Sequence, residues 1–475
     1  MPCANTLSSR CHWQNPRHRA VIPLSPGPDG PGGPGGSGPV TAATGHDEVL
    51  RALPRLLPGA VEFYLDVHRT PELSGAEERT AGLLAARLTA AGYEVTTGVG
   101  GHGVVGLLRN GPGPVVLLRA ELDALPVLER TGLPYASTVT AADPGGDGAF
   151  VPVMHACGHD MHLACLSGAS ALMALAADRW RGTVMVVGQP AEETLSGAEA
   201  MLRDGLYQRF AAPDSVLAQH TAPLPAGLVA HSEGPLLAAG ALLGIVVHGR
   251  GGHAGAPHLA VNPVEAAAAI VLRIREAVAG RFGPDDHVVV TVGSLHGGTR
   301  GTVIPEQASL EVSVRAPGQD LLDRATGLVR EVASAVSTAH GCPHAPRIDT
   351  LSASPATVGD PRVVAGVRRA HAAALGPERV TGWPPSSATE DFPLFGDAGA
   401  GLHGVTGISG CYWMLGSVGP RQWSGAPGRS AAEKLASLPA NHSPYFRPDP
   451  RLTTPTGIIA LTTAALSRLA GGVDG

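Results

Sequence analysis

Residues 182–193 read GTVMVVGQPAEE: an apolar run of strand-forming residues that stops in two adjacent carboxylates, Glu192 and Glu193. A short apolar run without polar alternation reads as a strand buried on both faces, the signature of a sheet covered by helices on each side. The flanking sequence agrees. EERTAGLLAARLTAAGY (77–93) has helical periodicity and ends at Gly92, and GVVGLLRN (103–110) and PVVLLRAEL (114–122) are β-rich. HLACLSGASALMALAA (162–177) is an apolar helix, SGAEAMLRDGL (196–206) a second helix and DSVLAQHTAP (214–223) a further strand. Strands alternating with helices imply an α/β fold, a sheet flanked by helices, with ligands bound beyond the carboxyl ends of the strands.

The pattern changes near residue 240. ALLGIVVHGRGG, VNPVEAAAAIVLRIREAVAG, HVVVTVGSLHGG, QASLEVSVRA, QDLLDRATGLVREVASAVSTAHG and PRIDTLSAS follow in the order strand, helix, strand, strand, helix, strand. That order predicts a ferredoxin-like α+β unit of the split βαβ type. We place it at 238–354, inserted into a main domain formed by 46–237 and 355–475. A chain of 475 residues exceeds what one hydrophobic core usually serves. Of the 17 residues 23–39, 13 are Gly or Pro, too little apolar surface to offset ordering entropy, so 1–45 reads as a disordered leader.

Composition narrows the function. A net charge of -6 without a basic run argues against nucleic acid. No apolar run approaches the ~18 residues of a membrane span. Six cysteines without paired spacing fit reduced thiols in a cytoplasm.

The chemistry concentrates at MHACGHDMH (154–162). Cys157 and His159, one residue apart, reach a common ion from a bend, and thiolate and imidazole suit Zn, Mn or Co. The competing reading is a polar helix cap built on His159 or Asp160. Glu192 and Glu193, if extended, point opposite ways, so that one carboxylate ligates and the other faces a bound water. The competing reading is a solvated pair at a helix start. His220 at the end of the next strand and His442 in the loop NHSP (441–444) complete a set strung along the ends of one sheet.

The motifs DVHRTPELSGAEERTA, LLRAELDALPVLERTGLPYAS, MHACGHDMHLACLSGAS, GTVMVVGQPAEE, GRGGHAGAPHLAVNPVEAAA, VGSLHGGTRGTVIPEQASL, TEDF and NHSP resemble the M20 family of metallopeptidases and amidohydrolases. The likeness runs from about residue 47 onward and is nearest to the hippurate hydrolase, N-acyl-amino-acid amidohydrolase and auxin-conjugate hydrolase branch. It implies two divalent ions, Mn or Zn with Co or Ni as alternatives, held by Cys157, His159, Glu193, His220 and His442, with Cys157 bridging. It implies Glu192 as general base, Asp123 as a carboxylate supporting the ligands, and His253 as a substrate contact made across a dimer interface. Two dications against one thiolate and one carboxylate leave a positive field that favours a substrate bearing a free carboxylate. The implied activity is hydrolysis of N-acyl amino acids by a homodimer joined through the inserted unit. A dipeptidase or carboxypeptidase, and a non-catalytic metal-binding relative, are the alternatives. No G-x-S-x-G nucleophile elbow is present. The sequence departs from the family pattern at Thr302, where Asn is usual, at TEDF in place of SEDF, and in longer segments before Met154 and before His442.

Overall fold

The computed structural model describes residues 45–144 and 148–469. The expected leader lies outside these, save Gly45, which opens the helix Gly45–Leu50. The apolar runs form one eight-stranded mixed sheet in the order Glu94–Val99, Gly103–Asn110, Gly182–Gln189, Val115–Glu121, Ser215–Pro225, Ser409–Val418, Val229–His231, Val380–Gly382. Its four central strands run parallel. Their carboxyl ends therefore share one edge, where side chains from distant segments meet.

Helices cover both faces. Leu53–Arg69, Glu78–Ala90, His159–Leu175, Pro361–Leu375 and Pro450–Leu466 pack on one side around Leu84, Leu118, Leu166, Trp413 and Leu461. Gly197–Arg203, Leu206–Phe210 and the turn Phe392–Phe395 cover the other. The helices His159–Leu175 and Pro450–Leu466 are apolar almost all round because each is enclosed. They interlock through glycine: a Cβ on Gly168 would lie 2.4 Å from the Ile458 side chain, and one on Gly457 would lie 2.4 Å from Cys165 Sγ.

The segment read as strand, helix, strand, strand, helix, strand has that order. Its strands form a separate antiparallel sheet ordered Val289–Gly297, Gln307–Ala316, Ala239–His248, Arg347–Ser354. Gln307–Ala316 buries alternate residues, turning Leu310, Val312 and Val314 onto the helices Pro263–Arg281 and Gln319–Ala339.

One local feature differs from the sequence reading, and the two longer segments carry elements of their own. The strand expected to run to Glu193 stops at Gln189, and the two glutamates sit in the turn beyond it. In the long segment before Met154, Thr140–Ala142 pairs antiparallel with Phe150–Pro152. The segment before His442 carries two short helices, Pro420–Gly425 and Ala431–Ser437.

Beneath the start of the helix His159–Leu175, buried His68 lies between two carboxylates, Nδ1 2.6 Å from Asp160 and Nε2 3.2 Å from Glu129. Burial alone would lower its pKa, but the two acids overcome that and lift it to about 9. A folded-state value above the unfolded ~6.5 means the contribution is complete below that pH and lost as pH rises through about 9. We expect His68→Ala to lower the urea-unfolding free energy by about 3 kcal/mol at neutral pH, by stranding a buried carboxylate. We also expect the gap to wild type to shrink between pH 7 and 10. A gap that stays constant over that range would remove the ion pair as its cause.

Candidate metal centre

Each side chain of the centre reaches the shared edge by a separate device. Gly158 has φ 90, and a Cβ there would meet Thr221 Oγ1 at 2.4 Å, so only glycine makes this bend. The bend sets Cys157 just before the helix and His159 at its first position. The N-cap position is Gly158, which makes no side-chain bond, while Asp160 Oδ1 accepts from the first-turn amide of Met161 (2.8 Å), so the helix-start reading holds for Asp160 and not for His159. His220 lies inside the strand Ser215–Pro225, past Ala218, the last residue paired with Val115–Glu121. His442, at φ 70, is fixed by its own amide donating to the Ala156 carbonyl (2.8 Å).

The structure brings Cys157, His159, Glu192, Glu193, His220 and His442 together. Cys157 Sγ is 3.3 Å from His220 Nε2, and His442 Nε2 is 3.4 Å from Glu193 Oε2. His159 Nε2 is 3.7 Å from Glu192 and 3.9 Å from Glu193. The ligating atoms form overlapping groups spanning no more than 4.8 Å: Cys157 with His159 and His220, Cys157 with Glu193 and His442, and His159 with Glu192 and Glu193. Cys157 belongs to two of them.

Asp123 lies directly behind. His159 Nδ1 is 2.9 Å from the Asp123 carbonyl and 3.2 Å from its carboxylate. The other carboxylate oxygen accepts from Ser74 Oγ (2.7 Å) and from the Glu193 amide (2.9 Å). His159 Nδ1 faces only acceptors, so with a metal bound Nε2 would present its lone pair toward the glutamates; with no cation there, burial is outweighed by Asp123 and the neighbouring acids, which lift the imidazole to about 10. His220 is oriented likewise, Nδ1 donating to the Thr221 carbonyl at 2.8 Å and Nε2 turned to Cys157.

His159 Nε2 and Glu193 Oε1 are buried yet make no hydrogen bond. An imidazole lone pair opposed to a carboxylate, both desolvated, is costly unless a cation joins them. The acids are held toward their neutral forms. Burial and then the neighbouring glutamates push the Cys157 thiol far up, burial and then Glu390 raise Glu192, and burial raises Glu193 to about 7. Sulfur, imidazole nitrogen and carboxylate oxygen in this arrangement fit divalent metal.

Several participants escaped the sequence reading. Glu121 Oε2 holds His162 Nδ1 at 2.6 Å, and His162 Nε2 accepts from the Thr221 amide at 2.8 Å. Arg119, fully buried, pairs with Glu121, with Glu390 (2.7 Å) and with Asp391 (3.0 Å). The signal was present: period-two alternation through VVLLRAELD puts Arg119, Glu121 and Asp123 on one side of an otherwise apolar strand. Asn441 donates to the Cys157 carbonyl at 2.8 Å. The centre opens into a cleft of about 830 Å³ that reaches the second sheet and includes Leu237, Arg315, Trp383 and Met414. His253 stands apart: it is exposed in a two-stranded ladder with Val303 and does not line this cleft.

A helix-covered mixed sheet with such donors at the ends of its parallel strands defines a metal-dependent amidohydrolase. The chain belongs to peptidase family M20/M25/M40, whose model matches residues 117–421. It is 34% identical over 286 residues to thermostable carboxypeptidase 1 of Saccharolobus solfataricus, covering 59% of this chain and 69% of that protein. It is 36% identical over 272 residues to hippurate hydrolase of Campylobacter jejuni, covering 56% and 67%. A Bacillus subtilis structure described as a dinuclear metal-binding peptidase of the M20 family superposes with a TM-score of 0.64 at 26% identity, covering 87% of this chain and 99% of that one.

If Asp123 fixes the His159 tautomer, Asp123→Ala weakens metal affinity by about 10- to 100-fold. Titration of the metal-stripped variant with Mn or Zn, followed by calorimetry, reads this directly. Wild-type affinity in the variant would deny Asp123 that role.

Proposed function

We propose that the chain hydrolyses the amide bond of N-acyl amino acids, with Cys157, His159, Glu193, His220 and His442 holding two divalent ions, Mn or Zn, and Glu192 as general base. The observation that carries this reading is the pair of buried atoms without a hydrogen bond, His159 Nε2 and Glu193 Oε1, facing each other at 3.9 Å inside the donor cluster. Metal in that position would polarise the amide carbonyl and bring the pKa of water toward ~7. Glu192, whose Oε2 lies 3.7 Å from His159 Nε2, takes the proton of the attacking water and passes it to the leaving nitrogen. Asp123 keeps the imidazole still while this happens.

Two features of the cleft support the substrate class. Arg315 bonds to neutral partners, Ser313 Oγ at 3.4 Å, the Ser387 carbonyl at 2.9 Å and Thr389 Oγ1 at 3.1 Å, and among the described residues it has no ion pair. We assign it to the free carboxylate of the substrate, which a guanidinium fork suits. Leu237, Trp383 and Met414 offer the acyl group an apolar wall. The carboxypeptidase relative keeps a second reading open, in which a dipeptide replaces the acyl amino acid. A free α-amine needs its own acidic partner. The cleft's carboxylates are Glu192 and Glu193, assigned to the chemistry, and Glu390, already held by Arg119 and Tyr412. That commitment favours acylated substrates.

We further assign 46–237 and 355–475 to the catalytic unit and 238–354 to a lid that joins two subunits, with His253 of the partner subunit supplying the oxyanion contact. The unpaired thiols of Cys165, Cys342 and Cys411, outside the proposed metal ligands, support a cytoplasmic setting.

With Mn or Zn present, N-benzoyl- and N-acetyl-amino acids should turn over faster than dipeptides of the same leaving residue. Glu192→Gln should lower kcat by about 10³-fold while retaining metal. Arg315→Ala should raise KM by roughly tenfold or more for acyl amino acids and leave their carboxamide analogues little changed. No turnover of any acyl amino acid by metal-loaded protein would refute the assignment.

A further inference from the structure

The turn that carries Glu192 and Glu193 does not keep its shape by local preference. Ala191 and Leu195 both occupy the left-handed region, at φ 49 and φ 53, where a side chain is disfavoured. Something outside the turn must hold it.

One holder is Asp123, through the Glu193 amide. Another is Glu77, a residue the mechanism does not use. Glu77 is fully buried and is the N-cap of the helix Glu78–Ala90, yet its side chain caps nothing. Glu72 does that work instead, accepting from the Arg79 amide at 3.0 Å and the Thr80 amide at 2.7 Å. Glu77 is thereby free to face the sheet edge. Its Oε1 accepts from the Gly75 amide and, 114 positions along the chain, from the Ala191 amide, each at 2.8 Å. Its Oε2 is buried with no partner. A carboxylate spent this way is an expensive means of satisfying two amides. One of the two belongs to the strained residue directly before Glu192.

We propose that Glu77 is a positioning residue for the Glu192–Glu193 turn, acting through the Ala191 amide to hold both glutamates at the metal centre. This rests on the reading that those glutamates perform the chemistry. Misplacement of a catalytic group by about 1 Å can cost roughly 100-fold in rate, so a small loosening is enough to be seen.

The test compares Glu77→Ala, Glu77→Asp and Glu77→Gln in the full-length, metal-loaded protein, each checked for native thermal unfolding. Amide hydrogen exchange of residues 190–197 is read beside kcat and KM on N-benzoylglycine. Ala removes the acceptor and Asp withdraws it by one methylene, so both should speed exchange of the turn by about tenfold or more. Both should lower kcat by about 10- to 100-fold with KM within about threefold. Gln keeps an acceptor oxygen at full reach and should restore slow exchange and most of kcat. Should Glu77→Ala not fold, the Asp and Gln pair decides the matter alone. Unchanged exchange in the Ala or Asp variant, or equal loss of kcat in Gln and Asp, overturns the proposal. If wild type hydrolyses no acyl amino acid, the functional reading fails, and the exchange comparison still passes judgement on the clamp.

Discussion

The centre depends on one short contact: the Asp123 carboxylate and carbonyl against His159 Nδ1. With a metal bound, that contact decides which imidazole nitrogen bears the proton and so turns a lone pair into the cleft. The same carboxylate takes the Glu193 amide and the Ser74 hydroxyl. One side chain thus ties together a strand end, the first turn of a helix and the turn bearing the two glutamates. With Asp123 neutral or absent, His159 loses its bias, and the glutamates lose one of their anchors.

Behind this contact the polar groups are arranged in depth. Arg119 pairs with Glu121, Glu390 and Asp391 in a place water does not reach, and with three acids to one cation, burial and the Glu390 charge lift Asp391 to about 8. Glu121 in turn orients His162, which accepts the Thr221 amide, and the Thr221 hydroxyl meets the Cys157 carbonyl at 3.1 Å. A buried ionic network of this kind adds little net stability against an apolar replacement. Its effect here is geometric, since each member has a partner on a different element.

The layered fold was legible because its signals are local. Apolar runs such as VVLLRAE and VMVVG, helical periodicity from Glu78 to Ala90, and the strand–helix order of 239–354 depend on neighbours in sequence. The six side chains that meet at the centre were legible too, as chemically distinctive residues at the ends of successive elements. What stayed hidden depends on long-range pairing. Glu390 meets Arg119 across 271 positions, and nothing in TEDF alone announces it. The extended placement expected of Glu192 and Glu193 failed for a different reason: Gln189 ends the ladder, and Pro190 leads into a turn whose shape is imposed by Glu77 and Asp123. His253 sits away from the cleft of its own chain, so the substrate contact that the family resemblance implies for it is not made by this placement alone.

The interlocked glycines of the helices His159–Leu175 and Pro450–Leu466 have a consequence for biosynthesis. Asn441 grips the Cys157 carbonyl from 284 positions away, and Ile458 and Cys165 fill the spaces that Gly168 and Gly457 leave open. A nascent polypeptide still on the ribosome lacks these late contacts, so its early metal-binding motif waits with an apolar helix uncovered. Contacts this distant in sequence slow folding and prolong exposure of sticky surface. The donor cluster is therefore complete only once Asn441 and His442 have docked beside Cys157, and exposure of the apolar helix should be set by how quickly Pro450–Leu466 packs on it.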